Sequence, residues 1–119
     1  MSSCLFCRMV AGEIPADVVL QTDRVFAFRD INPQAPTHVL VIPKEHYGTA
    51  AALAAADPGL LGEVVAGAQA VALQEGLVTE EAAEPGYRLV TNTGPQAGQS
   101  VFHVHFHLLG GRRMEWPPG

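Results

Sequence analysis

The chain has 119 residues, of which 48% are hydrophobic, so it can bury one compact core and is too short for two. We therefore expect a single domain over residues 1–119 with a single site. The formal net charge is −5, and the seven lysines and arginines are scattered along the chain. This excludes a general nucleic-acid-binding protein, because such a protein needs a basic face.

The N-terminal residues lack the pattern of a secretory signal peptide, and no apolar run approaches the roughly 18 residues that a membrane span needs. We expect a cytoplasmic protein with neither nucleic-acid nor membrane partners. In a reducing compartment Cys4 and Cys7 should be thiols or metal ligands rather than a disulfide.

Apolar periodicity in the first third of the chain predicts a short helix, ended by Gly12, and three strands. The helix covers residues 5–10, and the strands cover residues 18–20, 25–28 and 38–42. The first two strands flank the turn-prone residues 21–24 and should form a hairpin. Pro43 should end the third strand, because proline cannot donate to a sheet ladder.

The stretch over residues 49–76 predicts one long amphipathic helix, since its apolar residues recur at helical spacing. Within it Asp57 suits an N-cap, Pro58 suits the first helical position, and Gly76 suits the C-terminal end. Residues 87–91 and 102–109 predict two further strands. The pattern as a whole is an α+β fold, an antiparallel five-stranded sheet with one long helix on one face and a short N-terminal helix.

Three histidines, His103, His105 and His107, alternate with apolar residues. On a strand they would share one face, because side chains alternate with period two. Three interpretations are open: an exposed polar face, a three-histidine zinc site, or nucleophilic catalysis at phosphorus. In the third, neighbouring imidazoles would fix the tautomer of the nucleophile and supply positive charge.

The loop over residues 92–100 favours phosphorus chemistry. It carries Gly94, Gly98 and Ser100 just upstream of the three histidines, so it offers backbone N–H donors and a hydroxyl beside them. Such a loop is suited to hold an anion next to imidazole rings.

Cys4 and Cys7 form a Cys-x-x-Cys pair, which indicates either a redox pair or half of a tetrahedral zinc site. The redox interpretation is the weaker one, because it requires a thioredoxin-like βαβ unit that the sequence does not show. Zinc requires two further ligands.

Residues 98–109 match the His-x-His-x-His-x-x signature, with apolar residues at each x, and the chain resembles the histidine-triad (HIT) superfamily. Further blocks resemble its nucleotide-binding (Hint) branch, and together the blocks extend from about residue 4 to the C-terminus. They cover residues 12–15, 28–38, 41–44 with His46, and 110–119.

This resemblance implies a homodimer with one continuous sheet that hydrolyses purine nucleoside phosphoramidates, such as AMP joined to an amine. It implies that His105 is the nucleophile and forms a nucleotidyl-histidine intermediate, flanked by His103 and His107, while Ser100 hydrogen-bonds the leaving amine. The remaining residues implied to bind nucleotide fall into two groups. Near the phosphate they are Asn92, Gly98 and Gln99; for the ribose and base they are Asp30 with Leu5, Phe6, Met9, Phe28 and Ile31.

The resemblance also bears on the cysteines and on the C-terminus. In bacterial members with this cysteine pair, the corresponding zinc ligands would be Cys4, Cys7, His46 and His103, and such a zinc would be structural; free thiols remain the alternative. No cofactor, magnesium included, is required for catalysis. The tail over about residues 110–119, with Trp116, is expected to reach toward the partner subunit's site.

Other functions remain open from the sequence. The enzyme alternatives are a dinucleoside polyphosphate hydrolase and a zinc hydrolase with metal-activated water. A nucleotide-sensing scaffold with incidental catalysis is a hypothesis of a different class. The apolar base slot does not distinguish adenine from guanine.

Overall fold

The computed structural model describes residues 3–119. The strands are β1 (Val18–Gln21), β2 (Val25–Arg29), β3 (Thr37–Pro43), β4 (Tyr87–Val90) and β5 (Phe106–Gly110). The helices are α1 (Leu5–Val10), α2 (Ala50–Ala56) and α3 (Pro58–Gln74), with a 3₁₀ turn at Pro95–Ala97.

The strands form one antiparallel sheet in the order β1-β2-β3-β5-β4. The predicted α+β fold with a five-stranded antiparallel sheet is therefore confirmed. Within β3, Val39 and Val41 belong to one buried cluster, whereas Leu40 and Ile42 belong to another. The sheet is thus buried on both faces near its centre, which explains why β3 reads as a nearly continuous apolar run.

Helix α3 covers one face of the sheet. Its fully buried side chains recur at intervals of three or four residues, which places them on one side of the helix. They are Leu60, Val64, Ala68 and Val71, with Ala72 beside them, four residues after Ala68. Among the residues that the structure describes, no helix combines the length and the apolar character needed to cross a membrane.

Helix α1 covers part of the opposite face. Phe6 of α1 packs with Phe26 and Phe28 of β2 and with Leu40 and Ile42 of β3. Cys4 caps the N-terminus of this short helix, since its sulfur accepts from the backbone N–H of Cys7. The remainder of this face, over β3, β5 and β4, is left for the candidate site.

The prediction of one helix over residues 49–76 is wrong in one respect, because the stretch contains α2 and α3 with a break at Asp57. Asp57 has φ −153° and ψ 79°, which is outside the helical region. The ring of Pro58 disfavours helical backbone at the preceding residue, and the Asp57 carboxylate accepts the N–H of Leu60 at 3.0 Å. The N-cap and proline predicted for this helix therefore begin α3.

The strand predicted over residues 102–109 is also wrong at its start, because β5 begins only at Phe106. Upstream, the N–H of Val104 bonds to the carbonyl of Tyr47 at 2.7 Å, and the His103 ring bonds to the carbonyl of Pro43 at 2.8 Å. These contacts connect residues 103–104 to the last residue of β3 and to the segment that follows it, instead of to a sheet ladder. His103 and His105 therefore precede the strand, and the alternation of side chains between the two faces of a strand does not apply to them.

Candidate active site and metal centre

The His105 ring lies directly before β5 and is buried. Its Nδ1 atom is 2.8 Å from the carbonyl oxygen of His103. A carbonyl oxygen only accepts hydrogen bonds, so Nδ1 carries the proton and Nε2 keeps its lone pair. Phe6 contacts the ring edge to face, with centroids 5.1 Å apart. The side chain is therefore held in the tautomer that a nucleophile attacking through Nε2 requires.

The His107 ring lies 5.1 Å from that of His105 and is linked to His38 on β3. The backbone N–H of Gln34 donates to Nδ1 of His38 at 3.0 Å, so the proton of a neutral His38 is on Nε2. That Nε2 lies 2.9 Å from Nδ1 of His107 and 3.4 Å from a carboxylate oxygen of Asp30. His107 consequently accepts at Nδ1 and directs an Nε2–H donor away from His38.

Both linked imidazoles are neutral near pH 7. Burial, followed by the neighbouring His105 and His38, lowers the pKa of His107 to about 4, with Asp30 acting in the opposite direction. Burial also lowers the pKa of His38, with Asp30 acting in the opposite direction. The expectation that flanking imidazoles supply positive charge is therefore wrong for His107, which contributes a neutral N–H donor instead.

The His103 ring lies beside the two cysteines at the start of α1 and beside His46. Its Nε2–H donates to the carbonyl of Pro43, which leaves the Nδ1 lone pair available. Nδ1 lies 3.4 Å from the Cys4 sulfur, 3.5 Å from the Cys7 sulfur and 3.1 Å from Nδ1 of His46. The four side chains that the resemblance assigned to zinc thus converge at one point.

An apolar slot of about 370 Å³ opens between α1 and β2. It brings together the residues implied to hold the ribose and base: Leu5, Phe6, Met9, Phe28, Asp30 and Ile31. Leu40 completes its floor, and Phe6 meets Phe28 edge to face at 5.4 Å. The slot is the size and character of a small-molecule site.

The loop after β4 is shaped by two glycines and a buried amide. Gly94 and Gly98 have φ of 88° and 95°, which side chains other than glycine rarely adopt. The Gln99 amide accepts from the N–H of Gly94 and donates to the carbonyls of Gly48 and Val101. Gln99 therefore fixes the loop from inside, and its own side chain is fully engaged.

Asn92 and Ser100, two further residues predicted to lie near the phosphate and the leaving group, line different cavities. Asn92 lines a cavity with His107 and His38. Ser100 is exposed and lines a different cavity, with Cys4, His46 and Phe102. Trp116 is 82% exposed, with its ring centroid 6.0 Å from the guanidinium of Arg88.

Comparison with known proteins decides the family. The family model "HIT domain" matches residues 11–114. The chain belongs to the HIT domain family. It is similar to a HIT family hydrolase from Legionella pneumophila, with a TM-score of 0.90 and 50% identity, covering 98% of this chain and 100% of that one. The histidine-triad resemblance is thereby confirmed, and a HIT-family hydrolase is supported.

Two plant relatives carry more specific names. The "14 kDa zinc-binding protein" of Zea mays is 49% identical, over 99% of this chain and 89% of its own length. The "Adenylylsulfatase HINT1" of Arabidopsis thaliana is 46% identical, over 99% of this chain and 78% of its own length.

The Cys4–Cys7–His46–His103 group of this HIT domain fits zinc geometrically. Bond lengths of about 2.3 Å to sulfur and 2.0 Å to nitrogen give a tetrahedron with S···N edges of about 3.5 Å and an N···N edge of about 3.3 Å. The observed separations from His103 are 3.4, 3.5 and 3.1 Å. The tautomer of His103 also leaves the correct nitrogen for a metal.

A second group, Asp30, His38 and His107, also gathers three potential ligands. It does not fit a metal, because the Gln34 N–H occupies Nδ1 of His38 and so places the proton on the Nε2 that would have to coordinate. In this HIT domain the group forms a hydrogen-bonded relay, a chain that leads from the Gln34 N–H through His38 to His107.

His38 is the residue of this HIT domain that the sequence reasoning missed. It lies within one of the blocks that resemble the family, but it begins an apolar strand and has the pattern of a core residue. Its signal is the sheet register, which pairs His38 with Leu109 and Leu40 with His107. Sequence alone does not give that register across 69 residues.

Proposed function

We propose that this protein hydrolyses purine nucleoside 5′-phosphoramidates to a nucleoside monophosphate and an amine, with a covalent nucleotidyl-His105 intermediate. The observation that carries the proposal is the hydrogen bond of 2.8 Å from His105 Nδ1 to the His103 carbonyl. It leaves Nε2 as a lone-pair donor, and the Phe6 ring that contacts His105 also lines the apolar slot proposed for the purine and ribose.

In the first step Nε2 of His105 attacks the α-phosphorus and forms a P–N bond, while the bond to the amine breaks. The departing nitrogen takes a proton from solvent water as it leaves as the amine, and the Ser100 hydroxyl is the group proposed to hydrogen-bond it. The phosphorylated imidazole is cationic and still donates from Nδ1 to the His103 carbonyl, which stabilises that charge.

The flanking residues stabilise the transferring phosphoryl group. The Nε2–H of His107, directed away from His38, donates to a phosphoryl oxygen. Asn92 and the backbone of the glycine loop supply further neutral donors. In the second step water attacks the nucleotidyl-histidine, the P–N bond to His105 breaks, the water releases one proton to solvent, and the nucleoside monophosphate leaves the site.

Substrate binding is assigned to the apolar slot. Phe6, Phe28 and Ile31 border the space for the base, and the carboxylate of Asp30 is proposed to accept from the ribose hydroxyls. This holds the α-phosphorus in a fixed position relative to His105, which lowers the entropic part of the barrier.

Zinc, held by Cys4, Cys7, His46 and His103, would supply a cross-link between α1 and the segment before β5. Four protein ligands complete a tetrahedron and leave no open position for water, which is the pattern of structural rather than catalytic zinc. The proposal therefore favours a covalent route over metal-activated water.

A second candidate is the hydrolysis of adenylyl sulfate by the same two steps. It is favoured by the name of the Arabidopsis relative, which is an adenylylsulfatase. The leaving group is then sulfate, and attack at the α-phosphorus by His105 is unchanged.

The test is intact-protein mass spectrometry after rapid quenching of the enzyme mixed with tryptamine adenosine phosphoramidate. We expect an AMP adduct on the wild type, none on His105→Ala, and a loss of turnover of at least about a thousandfold in that variant. Arg24→Gln, on an exposed ion-pair cluster, is the matched control and should retain the adduct.

Two outcomes would contradict the covalent mechanism: turnover with no trapped adduct, or an adduct that persists in His105→Ala. Turnover abolished by chelation, without an adduct at any quench time, would point to metal-activated water. A cellular phenotype that is fully retained in His105→Ala would favour the scaffold hypothesis.

A further inference from the structure

The candidate nucleophile His105 lies just beyond the point at which the sheet ladder stops. Strand β5 begins at Phe106, and the pairing of β4 with β5 ends at Val90, opposite His107. Continued in the same register, the ladder would place Thr91 opposite Phe106 before it reached His105. The main chain of His105 therefore lies beyond the ladder between β4 and β5, and its position depends on other contacts.

A side chain takes the place of the ladder here. The hydroxyl of Thr91 donates to the main-chain carbonyl of His105 at 2.9 Å. Thr91 directly follows β4, and the bond joins residues that are 14 positions apart in the sequence. The bond is partly buried, so it is stronger than the same bond exposed to water.

The other contacts of this segment come from the side of β3, since β5 lies between β3 and β4 in the sheet. The N–H of Val104 donates to the carbonyl of Tyr47 at 2.7 Å, and the His103 ring donates to the carbonyl of Pro43 at 2.8 Å. Both acceptors belong to the end of β3 and the residues after it. Thr91 thus holds the same segment from the side of β4.

The Thr91 bond also connects the nucleophile to a second group of the candidate site. Asn92, the next residue, lines a cavity with His107 and is proposed to donate to the transferring phosphoryl group. The bond therefore restrains the segment that carries Asn92 relative to the segment that carries His105. The slot proposed for the purine lies elsewhere, between α1 and β2.

We infer that Thr91 is a positioning residue for the phosphoryl transfer, because its hydroxyl holds the main chain of His105 at the place from which Nε2 attacks. The inference rests on the proposed function. The residue is held at two points, its carbonyl by Thr91 and its Nδ1 by the His103 carbonyl, and together they fix the direction of the Nε2 lone pair. A displaced nucleophile slows the chemical step without weakening nucleotide binding in the slot.

The experiment replaces the hydroxyl by a methyl group of similar shape, in Thr91→Val. We expect the rate of adduct formation at saturating tryptamine adenosine phosphoramidate to fall about three- to thirtyfold. The Kd of AMP, measured by isothermal titration calorimetry, should stay within about twofold of the wild-type value, since the slot is unchanged. Thr91→Ser, which restores the hydroxyl, should recover most of the rate.

Thr79→Val is the matched control. The Thr79 hydroxyl also donates to a main-chain carbonyl, that of Ala82 at 3.4 Å, in the loop between α3 and β4. Its loss should leave the rate of adduct formation unchanged. Thermal unfolding separates a slower reaction from a loss of folded protein. If Thr91→Val does not fold, the comparison of Thr91→Ala with Thr91→Ser makes the same test.

The inference is overturned if the valine variant forms the adduct at the wild-type rate, if serine does not restore the rate, or if only the Kd of AMP changes. An adduct that forms at the wild-type rate in Thr91→Val would overturn this inference alone and leave the proposed function standing. Turnover by the wild type without any adduct would overturn the proposed function, and this inference with it.

Discussion

His38 determines what His107 can do. Because the Gln34 N–H fixes the proton of His38 on Nε2, His107 accepts at Nδ1 and donates from Nε2. A buried imidazole with no role beyond packing would not require the Gln34 N–H as a hydrogen-bond donor to its Nδ1. The orientation of the donor toward the phosphoryl group thus depends on a residue that does not itself touch the substrate's phosphorus.

We predict that His38→Leu lowers kcat/KM by about ten- to a hundredfold, a range typical when an outer partner of a functional histidine is removed. His38→Gln, whose amide can still donate to His107, should recover part of that loss. Steady-state kinetics with the tryptamine substrate measure both. Equal activity of the leucine variant and the wild type would show that the relay has no part in catalysis.

The lowered pKa of His107 predicts acid sensitivity. Its pKa is about 4 in the folded protein and near 6.5 when unfolded, so between these pH values the unfolded chain binds more protons. This contribution to stability is present above about pH 6.5 and is lost as the pH falls toward 4. Urea unfolding across that window, in the presence of a chelator, should give a shallower pH dependence for His107→Gln. Identical slopes for the two proteins would contradict the prediction.

At the scale of elements, the end of β5 is packed against the turn after α3. A Cβ atom added at Gly110 would lie 2.5 Å from a methyl carbon of Leu77, so one of the two must shift. We predict that Gly110→Ala lowers the free energy of unfolding by about 1–3 kcal/mol, as overpacked cores do. Denaturant unfolding measures it.

Gly62 in α3 is the matched control. Nothing lies within 4 Å of a Cβ added there, so Gly62→Ala should stabilise the helix by about 0.5–1 kcal/mol. A pair of alanine variants that changed stability in the same direction would contradict the packing argument.

Most helices and strands could be predicted because the patterns that determine them lie within a few consecutive residues. The hairpin of β1 and β2, the strand β3 and the cap of α3 follow from alternation, a polar turn and the Asp57-Pro58 pair. The break between α2 and α3 was missed because alanine-rich sequence on both sides is equally helical. The late start of β5 was missed because alternation continues through residues 102–105, where contacts with Pro43 and Tyr47 replace the ladder.

At the scale of the molecule, the candidate site lies where α1, β3 and the segment before β5 meet. The Cys4 and Cys7 sulfurs belong to the first of these, while His46 follows β3 and His103 precedes β5. A metal bound by this group would join three segments that are far apart in the sequence. Such a link stabilises the folded state by binding it in preference to the unfolded chain.

We predict that the protein as purified contains about one zinc per chain and that a strong chelator lowers its Tm. Cys7→Ser should show a reduced metal content and a Tm that the chelator changes little. Elemental analysis and thermal unfolding measure the two quantities. A wild type that binds no zinc, or whose Tm is unaffected by its removal, would contradict the prediction.

The sequence predicts residues for a candidate active site and for a candidate metal centre, but not how the two are joined. Residues on one short segment, such as His105 and His107, are near each other whatever the fold. The pairing of His38 with His107 and of His46 with His103 depends on sheet register and on the path after Pro43, which only the tertiary structure determines.

His103 contributes to the candidate metal centre through its side chain and to the candidate active site through its main-chain carbonyl. Its side chain faces the cysteines, whereas its main-chain oxygen orients the nucleophile. Any amino acid at position 103 provides that oxygen, but only a few provide the ring nitrogen. Loss of the metal site in evolution would therefore not require loss of the nucleophile. A homologue without the two cysteines would still hold the proton of this histidine on Nδ1 through the main-chain oxygen.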